Sequence, residues 1–132
     1  MNLLSLIVKI NLESNKNSYL EIIEDLMPRV KVHIKGPVIF KTELRVLITD
    51  LNYGNHLAND KVLAMVHEAR VRFLNNLGYS ETDIDGQGII MSDAEIEYKN
   101  QGFYNDRIQI EISIDNFHNK GFDFCTQFLH RT

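Results

Sequence analysis

Apolar residues open the chain at every second position. Leu4, Leu6, Val8, Ile10 and Leu12 alternate with Ser5, Lys9 and Asn11, and only Ile7 interrupts the polar side. A period of two sends successive side chains to opposite faces, so the pattern predicts a β-strand from Leu4 to Leu12. Ser18-Tyr19-Leu20-Glu21 has capping-box spacing and predicts a short helix that ends near Met27, before Pro28. Val30 to Ile34 alternates again, and Gly36-Pro37 marks a break or bulge. Val38 to Ile48 is a second extended stretch, with Phe40, Leu44, Val46 and Ile48 on one face and Lys41, Glu43 and Arg45 largely on the other.

The period then changes. From Asn59 or Asp60 to Leu77 the apolar residues recur at helical spacing, with Leu63, Val66, Phe73, Leu74 and Leu77 as the core stripe and Val62 and Val71 widening it. Asn59 or Asp60 is the expected N-cap, and Gly78 suits the left-handed position past the helix end. A polar loop, Ser80 to Gly88, leads into alternating Ala94, Ile96 and Tyr98. Ile108, Ile110, Ile112 and Ile114 alternate with Gln109, Glu111 and Ser113, Asn119-Lys120-Gly121 makes a turn, and Phe122, Phe124, Thr126 and Phe128 continue beyond it. One long helix with an antiparallel meander is an α+β arrangement, the helix packed on one sheet.

Composition narrows the function classes. The 132 residues fit one domain, residues 1–132. A net charge of −4 argues against general nucleic-acid binding, which needs a basic face. The single cysteine, Cys125, has no partner for an internal disulfide. It fits a reducing, cytoplasmic setting, and its place in an alternating pattern reads as a packed thiol. The apolar N-terminus lacks a preceding basic residue and a small-residue cleavage site, so it does not read as a signal peptide. No stretch approaches the roughly 20 apolar residues of a membrane span.

Candidate chemistry concentrates in Thr49-Asp50-Leu51-Asn52-Tyr53-Gly54-Asn55-His56-Leu57-Ala58-Asn59, where a polar segment runs straight into the long helix. A helix start carries free N–H groups and partial positive charge, which can hold a developing oxyanion. Asp50 is either a base for water or an acceptor for turn N–H groups. Asn52 orients water or shapes the turn, and His56 contacts a substrate carbonyl, acts as an acid near neutral pH, or is an ordinary loop histidine. Asn59 is an N-cap or a substrate ligand. Glu68, inside the helix, is a catalytic carboxylate, an ion-pair partner of Arg72 at i+4, or a partner of Arg70 across a dimer. His67-Glu68 does not make a zinc-protease helix, because Val71 stands where the second His is required, and His33, His118 and His130 form no ligand set, so no metal is expected.

Glu43-Leu44-Arg45-Val46, the Thr49–His56 segment, Asn59, His67-Glu68-Ala69-Arg70 and Phe103-Tyr104 with Asp106 occur in an order and spacing that resemble a hotdog-fold acyl-CoA thioesterase of the 4-hydroxybenzoyl-CoA thioesterase-like group. The resemblance spans roughly residues 30 to 132. It implies a curved antiparallel sheet wrapped around a central helix, and a homodimer, in some members a tetramer, with active sites between protomers. It also implies a substrate of acyl-CoA or acyl-carrier type, with coenzyme A entering only as part of the substrate and no other cofactor. Asp50, Asn52, His56 and Glu68 become the catalytic candidates, and Tyr53, Gly54 and Asn59 the substrate-binding ones.

The chain departs from the pattern at three places. Asn52 stands where many members carry the catalytic Asp, and an amide cannot accept a proton as a base. Glu68 is then the leading replacement carboxylate. The family's usual C-terminal strand is missing after Thr132, and residues 1–29 form an atypical extension. Leu4 to Leu12 is expected to fill the vacant place in the sheet; a truncated chain with an open sheet edge is the alternative. A catalytically silent hotdog module that binds acyl groups or serves assembly, and a hotdog dehydratase or hydratase, are the competing functions.

Overall fold

The computed structural model describes residues 2–7 and 31–131. The helix expected from Ser18 to Met27, and Val8 to Leu12 of the first expected strand, lie outside those residues. Among the described residues, five strands form one antiparallel sheet: β1 (Asn2–Ile7), β2 (Phe40–Arg45), β3 (Glu95–Tyr98), β4 (Arg107–His118) and β5 (Gly121–Arg131), in the spatial order β2-β4-β5-β1-β3. The helix α1 (Asn59–Asn76) packs on it, and a single 3-10 turn, Ile48–Asp50, precedes the helix.

The N-terminal segment takes an interior place in this sheet. β1 is antiparallel to β5 on one side, with Leu4 opposite Phe128, and to β3 on the other, with Leu6 opposite Ile96. β3 therefore has β1 as its strand neighbour and joins the rest of the sheet through it.

The alternation of β4 is realised as a buried row. Ile108, Ile110 and Ile112 are fully inaccessible and meet Val62, Val66, Ala69 and Phe73 of α1, together with Val46, Ile96 and Phe128. Phe73 anchors the contact, with its ring 5.6 Å from Phe40 and 6.0 Å from Phe124. Burying a side chain of this size contributes on the order of 2–3 kcal/mol, so these few residues hold helix to sheet.

The structure corrects several expectations. Lys31 to Ile34 form no strand; Val32 instead donates its N–H to the Glu97 carboxylate at 3.0 Å. Ile48 leaves the extended stretch for the 3-10 turn and is exposed. Leu63 and Leu77 lie outside the core, while Met65 and Ala69 are in it, because the face that meets the sheet is rotated relative to the stripe read from the sequence. The N-cap is Ala58, not Asn59 or Asp60.

Candidate active site

Residues 51–57 form a closed loop at the entrance to α1. Leu51 and Leu57 pair as an antiparallel bridge, and Asn52 N–H donates to the His56 carbonyl at 2.9 Å. The Asn52 side chain fills the loop, its Oδ1 accepting N–H bonds from Gly54 at 2.9 Å and His56 at 3.2 Å. With its oxygen engaged twice, the amide NH2 is the group Asn52 has left to offer. Asn55 closes the turn in the left-handed region, at φ 61°, which Asn tolerates better than most residues.

Gly54 is set by contact rather than by backbone freedom. A β-carbon there would lie 2.9 Å from His56 Cδ2 and 3.3 Å from His56 Nε2. The imidazole thus rests on the bare glycine backbone, and it also meets Phe103 in a T-shaped contact, with ring centroids 5.3 Å apart. His56 Nδ1 is buried with no hydrogen-bond partner among the described residues, so the ring's chemistry is left to Nε2.

The loop docks on the segment after β3. His56 pairs with Phe103 as an isolated bridge, and Leu57 N–H donates to the Gly102 carbonyl at 2.8 Å. Between them opens a cleft of about 150 Å³ lined by Asn52, His56, Asn59, Tyr98, Asn100 and Gln101, with Leu57, Val62 and Gly102 supplying apolar wall and backbone. The helix start borders this region through Asn59 and Val62 and has no side-chain cap; the Lys61 N–H is taken by the Ala58 carbonyl at 3.0 Å, which leaves the N–H groups of Asn59 and Asp60 to meet a ligand. The Tyr98 hydroxyl donates to the Asn59 carbonyl at 3.2 Å. Burial, then the charge of Asp60, push the phenol above its usual range, which keeps it a donor.

Residues 46–132, which contain this loop, the helix and strands β3 to β5, match the thioesterase-like superfamily. The chain belongs to that superfamily. No curated protein and no solved structure matches the chain. Membership, with one helix on an antiparallel sheet, makes the architecture hotdog-like and α+β, and supports a role in thioester hydrolysis in general. Among the described residues no helix is long and apolar enough to cross a membrane.

In this thioesterase-like protein the expected site residues separate into two groups. Asn52, His56 and Asn59 line the cleft, and Gly54 supports it from beneath the imidazole. Asp50 does not line it. Its carboxylate accepts the Leu47 N–H at 2.8 Å and closes the 3-10 turn, while its carbonyl accepts the Ala58 N–H at 2.8 Å. Tyr53 is fully exposed at the loop tip. Glu68 is not in a largely buried setting. It is half exposed, ion-paired to Arg72 at 2.8 Å, and Arg72 also donates to Thr42 Oγ1 at 3.0 Å and to the Glu43 carbonyl at 3.1 Å. Within one chain that ion pair clasps α1 to β2 and does not reach the cleft. Arg70 likewise pairs within the chain, with Glu81.

Tyr98, Asn100 and Gln101 are cleft residues that sequence reasoning missed. The signal was the polar run Lys99-Asn100-Gln101 directly after a strand, which in isolation reads as an ordinary loop. Cys125 is half-buried and lies outside the core cluster; burial, then the charges of Asp123 and Asp115, raise its thiol above the ordinary range and hold it protonated. Among the described residues no group of three His, Cys, Asp or Glu side chains could hold a metal ion.

Proposed function

We propose that this protein hydrolyses an acyl-CoA or acyl-carrier thioester, as a homodimer of the 4-hydroxybenzoyl-CoA thioesterase-like kind. The observation that carries the reading is the convergence on one cleft of an uncapped helix start, the Asn52 amide and the His56 ring. All three supply hydrogen-bond donors. An unpaired buried N–H costs more than an unpaired lone pair, so the buried Nδ1 of His56 is unprotonated and Nε2 carries the proton.

Donors aimed at one point favour the tetrahedral oxyanion over the flat carbonyl. Water adds to the thioester carbon, the C–O bond forms, and the carbonyl oxygen takes the negative charge against the helix N–H groups and Nε2–H. Collapse breaks the C–S bond. The thiolate leaves and takes up the proton that the attacking water gives up, yielding a carboxylic acid and a free thiol. A thiol of pKa about 8.5 is a good leaving group, so protonation need not precede cleavage. A 150 Å³ cleft holds the thioester and its nearest carbons; a longer acyl chain extends past it.

The test is thiol release from a panel of acyl-CoAs by the wild type and by Asn52→Ala, His56→Ala and Glu68→Ala. Turnover is expected in the wild type, reduced about 100-fold in the first two variants and within about threefold of wild type in Glu68→Ala. Loss of turnover in Glu68→Ala restores a carboxylate mechanism. No thiol release by the wild type favours the second reading, an acyl-binding module, whose support is that neither Asp50 nor Glu68 lines the cleft.

A further inference from the structure

Three arginines stand side by side across the sheet. Arg45 of β2 is directly opposite Arg107 of β4, and Arg107 is directly opposite Arg131 of β5. All three are exposed, on the face turned away from α1, since the flanking Ile108 points into the core. Like charges directly opposite one another destabilise a sheet, so folding alone does not call for this row.

The charge is only partly balanced. Glu43 pairs with Arg107 through two bonds, at 2.8 and 3.0 Å. Arg45 bonds to neutral Asn105 at 2.7 Å, and Arg131 to neutral Gln109. The hydrogen bond from Arg107 holds the Glu43 carboxyl below its usual range; desolvation opposes it, and the charges of Arg107, Arg131 and Arg45 add to the lowering, so that one carboxylate lies in the field of three guanidiniums. On a chain of net charge −4 this is a local basic stripe.

It is also tied to the cleft. Asn105, which holds Arg45, donates its N–H to the Val46 carbonyl at 2.9 Å, and Asp106 accepts the N–H of Phe103, the residue that packs on His56. The three side chains are exposed and none of them lines the cleft. Neighbouring strands lie about 4.8 Å apart, so three guanidiniums span about 10 Å. Carboxylates one turn apart on a helix are spaced about 5–6 Å. A small anion prefers a pocket; this geometry fits a helix edge with successive acidic residues.

We propose that the Arg45–Arg107–Arg131 row docks an acidic helix of a carrier protein that delivers the acyl thioester to the adjacent cleft. The inference rests on the thioesterase reading above and names the carrier. Its test separates the two. Binding is read by fluorescence anisotropy with a labelled holo-acyl carrier protein, without turnover. Hydrolysis is read by thiol release from octanoyl-acyl carrier protein and from octanoyl-CoA. The variants are Arg45→Glu, Arg131→Glu and, as a control of equal charge change at the far end of the β4–β5 hairpin, Lys120→Glu, each checked for an unchanged thermal midpoint; Arg45→Gln and Arg131→Gln replace any charge reversal that fails to fold.

Binding of the carrier protein is expected to weaken with salt and to fall about tenfold in each arginine variant but not in Lys120→Glu. KM for octanoyl-acyl carrier protein should rise in parallel, with kcat and the octanoyl-CoA reaction unchanged. Carrier binding without hydrolysis of either substrate supports the docking surface and overturns the thioesterase reading. Carrier binding equal in all variants overturns the docking surface. So does a rise in KM for octanoyl-CoA alone, which assigns the row to the nucleotide phosphates, or a change of oligomeric mass in the arginine variants, which assigns it to a second copy of the chain.

Discussion

The His56 imidazole lies on the backbone of Gly54, where an added β-carbon would stand 2.9 Å from Cδ2. The absence of a side chain at Gly54 gives the ring its place, and the T-shaped contact with Phe103 holds it there. Gly54→Ala must therefore displace the ring or open the loop. Since misplacing a catalytic group by about 1 Å can cost about 100-fold in rate, thiol release should drop by about 10- to 100-fold. The loop is exposed, so the thermal midpoint should move by only a few degrees. Full activity in Gly54→Ala would remove His56 Nε2 from the mechanism.

Asn52 performs two tasks that substitution can separate. Its oxygen satisfies two loop N–H groups, and its NH2 is the donor left for a ligand in the cleft that Asn52 lines. Asn52→Asp keeps the acceptor and should fold with nearly wild-type stability, whereas Asn52→Ala should lose about 1–2 kcal/mol by denaturant titration. Both lose the donor, and both should lose turnover. A gain of activity in Asn52→Asp would show that the cleft works better with a base than with a donor.

Glu81 accepts bonds from both Arg70 and His67 of α1, tying the 80–88 loop to the helix. Burial opposes its charge, but the bonds from Arg70 and His67 outweigh that effect and hold its carboxyl below the ordinary value of 4.5. A carboxyl with a depressed folded pKa stabilises the fold above the unfolded value and loses that contribution as pH falls through the folded one. Glu81→Gln should thus be less stable than wild type by about 1–2 kcal/mol at pH 7. The gap should narrow at acid pH, from about 4.5 downward, as read by urea unfolding. A gap independent of pH would mean that the charge is not what holds the loop.

β1 is the strand that links β3 to the sheet, and β3 carries Tyr98 into the cleft. Deleting residues 1–13 should remove the ladder on both sides of β1, lower the thermal midpoint by about 10 °C or more and abolish turnover. An unchanged midpoint would show that the sheet stands without its N-terminal strand.

The elements themselves were legible in the chain. Period-two runs at Leu4, Ile96, Ile108 and Phe122, the helical stretch closed by Gly78 and the polar loop from Thr49 to Asn59 all depend on forces acting within a few residues: side-chain alternation, capping and turn geometry. The loop also showed Asn52 and His56 as the side chains to examine, because a polar cluster at a helix start has few structural reasons to exist. What remained hidden depends on pairings between distant residues. The place of β1 between β5 and β3 brings Leu4 beside Phe128 and Tyr98, a register that no local pattern encodes. The same sheet order puts Tyr98 and Gln101 around the cleft, aligns Arg45, Arg107 and Arg131 in one row, and brings Arg72, the i+4 partner of Glu68, against Thr42 and Glu43 of β2. Sequence periodicity states which face of an element is apolar; only the packed sheet decides which residues from separate elements meet on the other face, and there the chemistry is assembled.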